Sequence, residues 1–349
     1  MAVPWEDGQE RGNPFQGSLY ALGRRAGKRK RSMKYITGTR EFQIQEPAVV
    51  TLGKFDGRHR GHQKLLKLMG EIKADKGLKA AVLTFDMSPI TYMAGVPQKV
   101  ITTNLERKNN LERIGIDYLI EYPFTEETAH MEPEEFVKQV LAGQMNARII
   151  VVGTDCSFGY QGAGNAELLY QWKDRYGYEL IVIPKEQADH RDISSTYVRE
   201  QLDAGNMEKA NELLGEPYAI HGTVVHGNHI GGAVLGFPTA NIIPPPEKHL
   251  PVFGVYVSRV YVDGTYYGGI TNIGRKPTIK GISPIGAETY IYGINEDIYG
   301  KTIEVQLLHF IRPERNFAGL EQLKEQIGKD QEYGMRYLKA LSDQQITLL

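Results

Sequence analysis

The sequence predicts an α/β domain followed by a β domain: a parallel sheet covered by helices, then a compact β-barrel with a packed terminal helix. Three observations carry this expectation. Between about residues 46 and 185, short β-branched runs alternate with longer amphipathic segments, the rhythm of repeated βα units. Beyond residue 193 that rhythm stops, and short strands with Gly-rich loops take over, as in closed β architectures. A chain of 349 residues also exceeds what one hydrophobic core usually organises, so two cores are expected.

In the first half, AVVTLGKFD, KAAVLTFD, DYLIEYPF, ARIIVVG and ELIVIP read as strands, and residues 62–76 and 133–145 as helices. Leu65, Leu66, Leu68, Met69 and Ile72 recur near helical spacing, whereas the strands are almost continuously apolar, as burial on both faces of a parallel sheet requires. Ligands of such sheets bind in the crevice at the carboxyl ends of the strands. In the second half, residues 195–204 and 207–214 read as two short helices, stopped by Gly215 and Pro217. Residues 254–262 and 265–273 flank Asp263 and Gly264, a two-residue turn that favours a hairpin. Residues 301–310 supply a further strand, and 319–341 a closing helix carrying Leu320, Leu323, Ile327 and Tyr337. The expected plan is a leader over 1–32, a first domain over 33–186, a helical connection over 187–216 and a second domain over 217–349.

Composition narrows the class. With 41% hydrophobic and 24% charged residues, and no apolar run near the roughly 20 residues a spanning helix needs, no membrane partner is expected. Cys156 is the only cysteine, which excludes an internal disulfide and a cysteine-based structural zinc site; it reads as a small buried thiol in a reducing, cytoplasmic setting. Residues 1–32 carry seven basic side chains against three acidic ones. Their cluster from Arg24 to Arg31 lacks the interleaved aromatics and periodicity of a nucleic-acid arm, and the segment lacks the apolar core of a secretory signal. A disordered leader or upstream extension before Met33 is expected rather than a nucleic-acid partner. Composition leaves the oligomeric state open.

The segment GKFDGRHRGH, residues 53–62, runs from a strand into a helix. Free backbone N–H groups and the positive helix end make such a junction a phosphate site. Gly53, Gly57 and Gly61 allow close backbone approach, and His59 and His62 can aim imidazole donors at one oxyanion. Attack on the α-phosphate of ATP needs that donation, because charge builds on the leaving oxygens. Two surface histidines or half of a zinc site are the competing readings, but zinc needs further ligands and none is obvious nearby. Ser194, Ser195 and Thr196 are candidate caps of the following helix, and Arg199 is a fixed-charge fork for phosphate.

In the second half, LGFPTANI at residues 235–242 follows the Gly-rich HGNHIGGAV. Thr239 and Asn241, two apart in extended chain, project compact oxygen donors to one side, the chemistry that magnesium shares with ATP phosphates. The P-loop pattern GxxxxGK[ST] is absent. Taken alone, a Thr and an Asn in a Gly/Pro loop are more often turn residues.

GKFDGRHRGH, together with TFD at 84–86, VVGTDCSFG at 151–159 and ISSTYVR at 193–199, resembles the FAD synthetase module of bacterial bifunctional riboflavin kinase and FAD synthetase enzymes. LGFPTANI, GVYVSRV at 254–260, TNIGRKPT at 271–278, ETYI at 288–291 and IYGKTIEVQLLHFIRPERNF at 298–317 resemble the riboflavin kinase module in order and spacing. The resemblance implies a Rossmann-like nucleotidyltransferase sheet and a riboflavin-kinase-like β-barrel. It implies ATP-dependent phosphorylation of riboflavin to FMN, then adenylylation of FMN to FAD with release of pyrophosphate. By this likeness His59 and His62 act on ATP phosphates, with Gly53, Phe55, Asp56, Gly61, Ser195, Thr196 and Arg199 around the nucleotide and Asp155 in the binding cleft. Thr239 and Asn241 hold Mg2+ and ATP, Glu288 is the catalytic base, and Gly254, Tyr256 and Arg312 lie near the flavin. The sequence departs from the family pattern at Lys54, where Asn is usual, and at Met87 and Ser88, where a His-containing element is usual. It departs again at Gly232 and Ala233, in a glycine loop one residue longer. The first two departures define the alternative: a kinase whose N-terminal domain only binds nucleotide or flavin as a regulatory module.

Overall fold

The computed structural model describes residues 32–226, 239–275 and 285–347. Residues 1–31, residues 227–238 with Gly232, Ala233 and the start of LGFPTANI, and residues 276–278 of TNIGRKPT lie outside the described residues.

The first half builds β1 (Lys34–Thr37), β2 (Ala48–Leu52), α1 (Arg60–Lys76), β3 (Lys79–Phe85), α2 (Pro89–Ala94), α3 (Asn104–Arg113), β4 (Tyr118–Tyr122), α4 (Glu126–Ala129), α5 (Pro133–Glu135), β5 (Ala147–Gly153), α6 (Ala166–Tyr176) and β6 (Glu179–Ile183). Every strand pair in this sheet is parallel, in the order β1-β4-β3-β2-β5-β6. Successive residues feed opposite cores: Val50, Ala81 and Leu83 pack on one face, and Val49, Ala80 and Val82 on the other, beneath α1. The continuous apolar runs therefore have their expected cause. The chain winds from β2 toward β4 on one side, then crosses to β5 on the other, so the sheet reverses direction between β2 and β5. That switch point is where a parallel sheet opens a ligand crevice.

Two details differ from the sequence reading. The helix expected over 133–145 opens as α5 and continues as a π-helix over Phe136–Gln144, and the Met145 amide reaches back five residues to the Val140 carbonyl at 2.8 Å. The wider turn buries Phe136, Val137, Val140 and Leu141 together. Helix α3 has no apolar stripe to announce it; a capping box of Thr103 and Glu106 starts it instead.

After the short hairpin of β7 (Gln187–Ala188) and β8 (Arg191–Asp192) come α7 (Ser195–Asp203) and α8 (Met207–Leu214). The second sheet comprises β9 (Tyr218–Thr223), β10 (Ala240–Ile242), β11 (Gly254–Val262), β12 (Thr265–Arg275), β13 (Ile285–Ile291) and β14 (Thr302–Pro313), followed by α9 (Leu320–Thr347). It is wholly antiparallel, in the order β10-β13-β12-β11-β14-β9. A bridge between Val225, just past β9, and Asn241 of β10 brings its two edges together, curling it toward a barrel. Positive φ at Asp263 and Gly264 makes the expected tight turn between β11 and β12. Val198, Leu202, Met207, Ala210, Leu213 and Leu214 share one core with barrel residues such as Ile220, Tyr256 and Leu307. Among the described residues, no helix is long and apolar enough to cross a membrane.

Candidate active sites

The N-terminal candidate sits at the switch point. The β2 strand ends at Leu52, and Gly53 to His59 form the loop into α1, with His59 as the N-cap residue. Phe55 and Arg58 hold φ of 49° and 38°, a region that non-glycine residues adopt at a cost. The loop is tied down to offset it. Asp56, buried, is ion-paired with Arg199 and accepts the Thr102 amide at 2.9 Å. The Gly57 amide donates to the Thr102 hydroxyl at 3.1 Å, and the Ser195 hydroxyl donates to the Asp56 carbonyl at 2.7 Å. Arg107 donates to the Lys54 carbonyl at 3.3 Å, and Arg58 pairs with Glu216.

His59 and His62 stack with ring centroids 3.8 Å apart, and Phe55 lies 5.0 Å from His62. Any side chain at position 61 would place its Cβ 3.3 Å from the His59 ring, so glycine there makes room for the imidazole. Burial pulls His59 down to about 4, against the pull of Asp155. Burial and then the His59 charge hold His62 well below the usual histidine range. Both rings are therefore neutral near pH 7, and neither Nδ1 has a hydrogen-bond partner among the described residues. Asp155 follows β5 across the switch point and is ion-paired with Lys185 at 3.2 Å. The hydroxyls of ISSTYVR divide their work: Ser194 caps α7 by accepting the Tyr197 amide at 3.2 Å, Ser195 braces the loop, and Thr196 is exposed. At the departure from the family pattern, Ser88 caps α2 through the Thr91 amide at 3.0 Å. Cys156 is half-buried rather than fully buried, and burial pushes its thiol up to about 12.

The C-terminal candidate is a row across five strands. Asn241 pairs with Glu288, Glu288 with Asn272, Asn272 with Val255, and Val255 with Arg312. Directly opposed residues project to the same face of a sheet, so Asn241, Glu288, Asn272 and Arg312 share one. Helix α9 packs there as well: Leu338 lies against Gly268, and the Gly334 backbone lies against Ile270. Arg312 is gripped by Asp330 of α9, its Nη2 and Nε donating at 2.7 and 3.1 Å. Thr239 adjoins the row, and the Asn241 amide donates to the Thr239 carbonyl at 3.1 Å. Tyr256 does not join them. Its side chain lies on the opposite face, fully buried in the barrel core, with its hydroxyl donating to the Val252 carbonyl. Gly254 is pressed against β14, where a Cβ would sit 2.3 Å from the Arg312 carbonyl.

Thr102, Arg107, Asn272 and Asp330 escaped the sequence reading. Their signals, a TTN cap and isolated polar residues in strand or helix, are common to many structures. Among the described residues no cluster of three or more His, Cys, Asp or Glu side chains could hold a metal, so the oxygen donors of Thr239, Asn241 and Glu288 are the set to weigh for a cation.

A parallel sheet with an imidazole-bearing loop at its switch point, joined to a curled antiparallel sheet with a terminal helix, defines a two-domain transferase of the nucleotidyltransferase and riboflavin kinase fold classes. Two family models match: FAD synthetase over residues 41–197 and riboflavin kinase over residues 214–338. The bifunctional riboflavin kinase/FMN adenylyltransferase of Listeria monocytogenes is 34% identical over 84% of this chain and 94% of its own. That of Bacillus subtilis is 36% identical over 85% and 94%. A solved structure described as a macrolide-efflux protein from Streptococcus pneumoniae superposes with a TM-score of 0.76 at 33% identity, covering 87% of this chain and 98% of that one. The chain belongs to the bifunctional riboflavin kinase/FMN adenylyltransferase family.

Proposed function

We propose that this chain makes flavin coenzymes in two steps, phosphorylating riboflavin to FMN and adenylylating FMN to FAD, each with ATP. The observation that carries this reading is that each sheet gathers polar side chains of the two family motifs: His59 and His62 stack on the loop at the switch point of the first, and Asn241 pairs with Glu288 on the second.

For adenylyl transfer, the FMN phosphate attacks the ATP α-phosphorus and pyrophosphate leaves. Neutral His59 and His62 donate N–H to the oxygens that gain charge, while Arg199 and the N-terminal end of α7 hold phosphate. Gly53, Phe55, Asp56, Gly61, Ser195 and Thr196 shape the nucleotide crevice, and Asp155 faces the flavin side. Lys54, where the family usually has Asn, brings one more positive charge beside Arg199. Burial draws its ammonium below the usual lysine range, Asp56 opposes this, and Arg199 adds to it.

For phosphorylation, Glu288 takes the proton of the ribityl 5′-hydroxyl as that oxygen attacks the γ-phosphorus and ADP leaves with the bridging oxygen. Thr239 and Asn241 are hard oxygen donors beside Glu288 and suit Mg2+ shared with ATP phosphates. Magnesium supplies charge neutralisation to the transferred phosphoryl group when bound. Arg312, fixed by Asp330, and the backbone of Gly254 and Tyr256 border the flavin. We assign the protein to the cytoplasm, the reducing setting that its single cysteine suits.

Incubating the purified protein with riboflavin, ATP and Mg2+, then separating the flavins by chromatography, tests both halves. FAD is the expected end product. FMN without FAD, from supplied FMN as well as from riboflavin, would favour the second reading, a kinase with a nucleotide- or flavin-binding regulatory domain, for which Lys54, Met87 and Ser88 are the motivation. Neither product would overturn both.

A further inference from the structure

The two domains meet at a buried charged cluster that neither site uses. Lys248, in the segment between β10 and β11, is 4% exposed. Its ammonium donates to both oxygens of Glu106 in α3, at 2.9 and 2.7 Å, and to the Ile101 carbonyl at 2.7 Å. It also lies 4.8 Å from the Tyr218 ring centre. His221 of β9 adds a second contact to Glu106 at 3.1 Å and reaches Glu304 of β14 at 3.1 Å. The backbone reinforces the join: the Val100 amide donates to the Glu247 carbonyl at 2.8 Å, and the His249 amide to the Val100 carbonyl at 2.7 Å. Removing one partner from a buried charged cluster leaves an uncompensated charge, so these contacts hold their geometry firmly.

What the cluster grips is the stretch 100–103 that leads into α3, and that stretch carries Thr102. The Thr102 amide and hydroxyl bond Asp56 and Gly57, the centre of the strained phosphate loop. The peptide unit whose carbonyl receives the Lys248 ammonium is the one whose N–H holds Asp56. One rigid amide group therefore links a cation of the second domain to a loop of the first.

We infer that Lys248, a residue of the kinase half, is a positioning residue for adenylyl transfer in the other half. It clamps the Ile101–Thr102 peptide, which in turn sets the conformation of residues 53–62. This rests on the reading of that loop as the adenylyl-transfer site. Lys248 itself touches no proposed substrate position; it acts through Thr102, Asp56 and Gly57 on where His59 and His62 point.

The test uses the full chain carrying Lys248→Met, and the double variant Lys248→Met with Glu106→Gln. The double variant removes the stranded carboxylate while Gln at the third helical position preserves the capping box. Three quantities are read: the FMN to FAD rate, the riboflavin to FMN rate, and amide hydrogen exchange over residues 53–62. Misplacing reacting groups remotely costs roughly ten- to a hundredfold. A loss of that size is expected in kcat for FAD formation in both variants, with faster exchange across the loop and riboflavin phosphorylation at the wild-type rate. Unchanged FAD formation in Lys248→Met overturns the inference. Equal loss of both activities does so too, since it marks general unfolding, as does recovery in the double variant, which would assign the effect to the stranded Glu106. If the wild type makes no FAD, the functional reading fails on its own, and exchange decides the clamp: unaltered protection of 53–62 in Lys248→Met overturns it.

Discussion

Arg199 of α7 is ion-paired with Asp56 of the loop after β2, across 143 residues of chain, so the guanidinium proposed to hold phosphate is already aimed at the loop that carries His59 and His62. A phosphate held there as proposed must share or displace Asp56. Lysine in its place keeps the charge and loses the planar fork. Arg199→Lys is expected to lower kcat/KM for FAD formation at least tenfold without changing riboflavin phosphorylation, as steady-state assays of the two half-reactions will show.

His62→Ala removes a neutral donor from the stack with His59. A lost oxyanion donor costs about 3 kcal/mol in comparable sites, so FAD formation from supplied FMN should fall by roughly two orders of magnitude. Circular dichroism should report an intact fold, and riboflavin phosphorylation should persist. Unaltered FAD formation would remove His62 from the mechanism.

Glu288→Gln is nearly isosteric and cannot accept a proton. Riboflavin phosphorylation should drop roughly a hundredfold or more, while FMN to FAD conversion continues. Near-normal phosphorylation would show that Glu288 is not the base.

Chain cuts near the connection should separate folding from activity. A fragment starting at residue 187 keeps α7 and α8, whose Leu202, Met207, Leu213 and Leu214 lie in the barrel core, and should phosphorylate riboflavin at the full rate. One starting at residue 215 loses these side chains, each worth about 1.5–3 kcal/mol when buried. Its midpoint in urea should be clearly lower, even where its kinase activity survives. Equal midpoints would mean that the shared core contributes nothing to the barrel.

His221 makes stability depend on alkaline pH. Burial pulls its pKa down, but hydrogen bonds to Glu106 and Glu304 raise it to about 9, above the roughly 6.5 of an unfolded histidine. A raised folded value means the contribution is complete below pH 6.5 and disappears as pH climbs through 9. Glu106 works at the other end. Burial would raise it, yet His221 and Lys248 hold it to about 2, so its contribution is present above pH 4.5 and lost as pH falls toward 2. Denaturant titrations of wild type at pH 6.5 and pH 9.5 should show a loss that His221→Gln largely lacks.

The sequence by itself determined what local interactions decide. Continuous apolar runs specified a sheet buried on both faces, Asp263 and Gly264 specified a hairpin because few other pairs accept positive φ, and GKFDGRHRGH placed a glycine-rich loop between a strand end and a helix. Glu288 stood out only through its motif, because an isolated carboxylate in a strand carries no local signal. Tertiary structure alone decided the rest. Which residues share a face depends on register between strands far apart in sequence, so it took the pairing of β10, β13, β12, β11 and β14 to gather Asn241, Glu288, Asn272 and Arg312 and to send the Tyr256 side chain into the core. The buried meeting of Lys248, Glu106 and His221 was equally illegible. Charged residues in a sequence read as solvated surface, and only the packing of one domain against the other supplies the partners that make their burial tolerable.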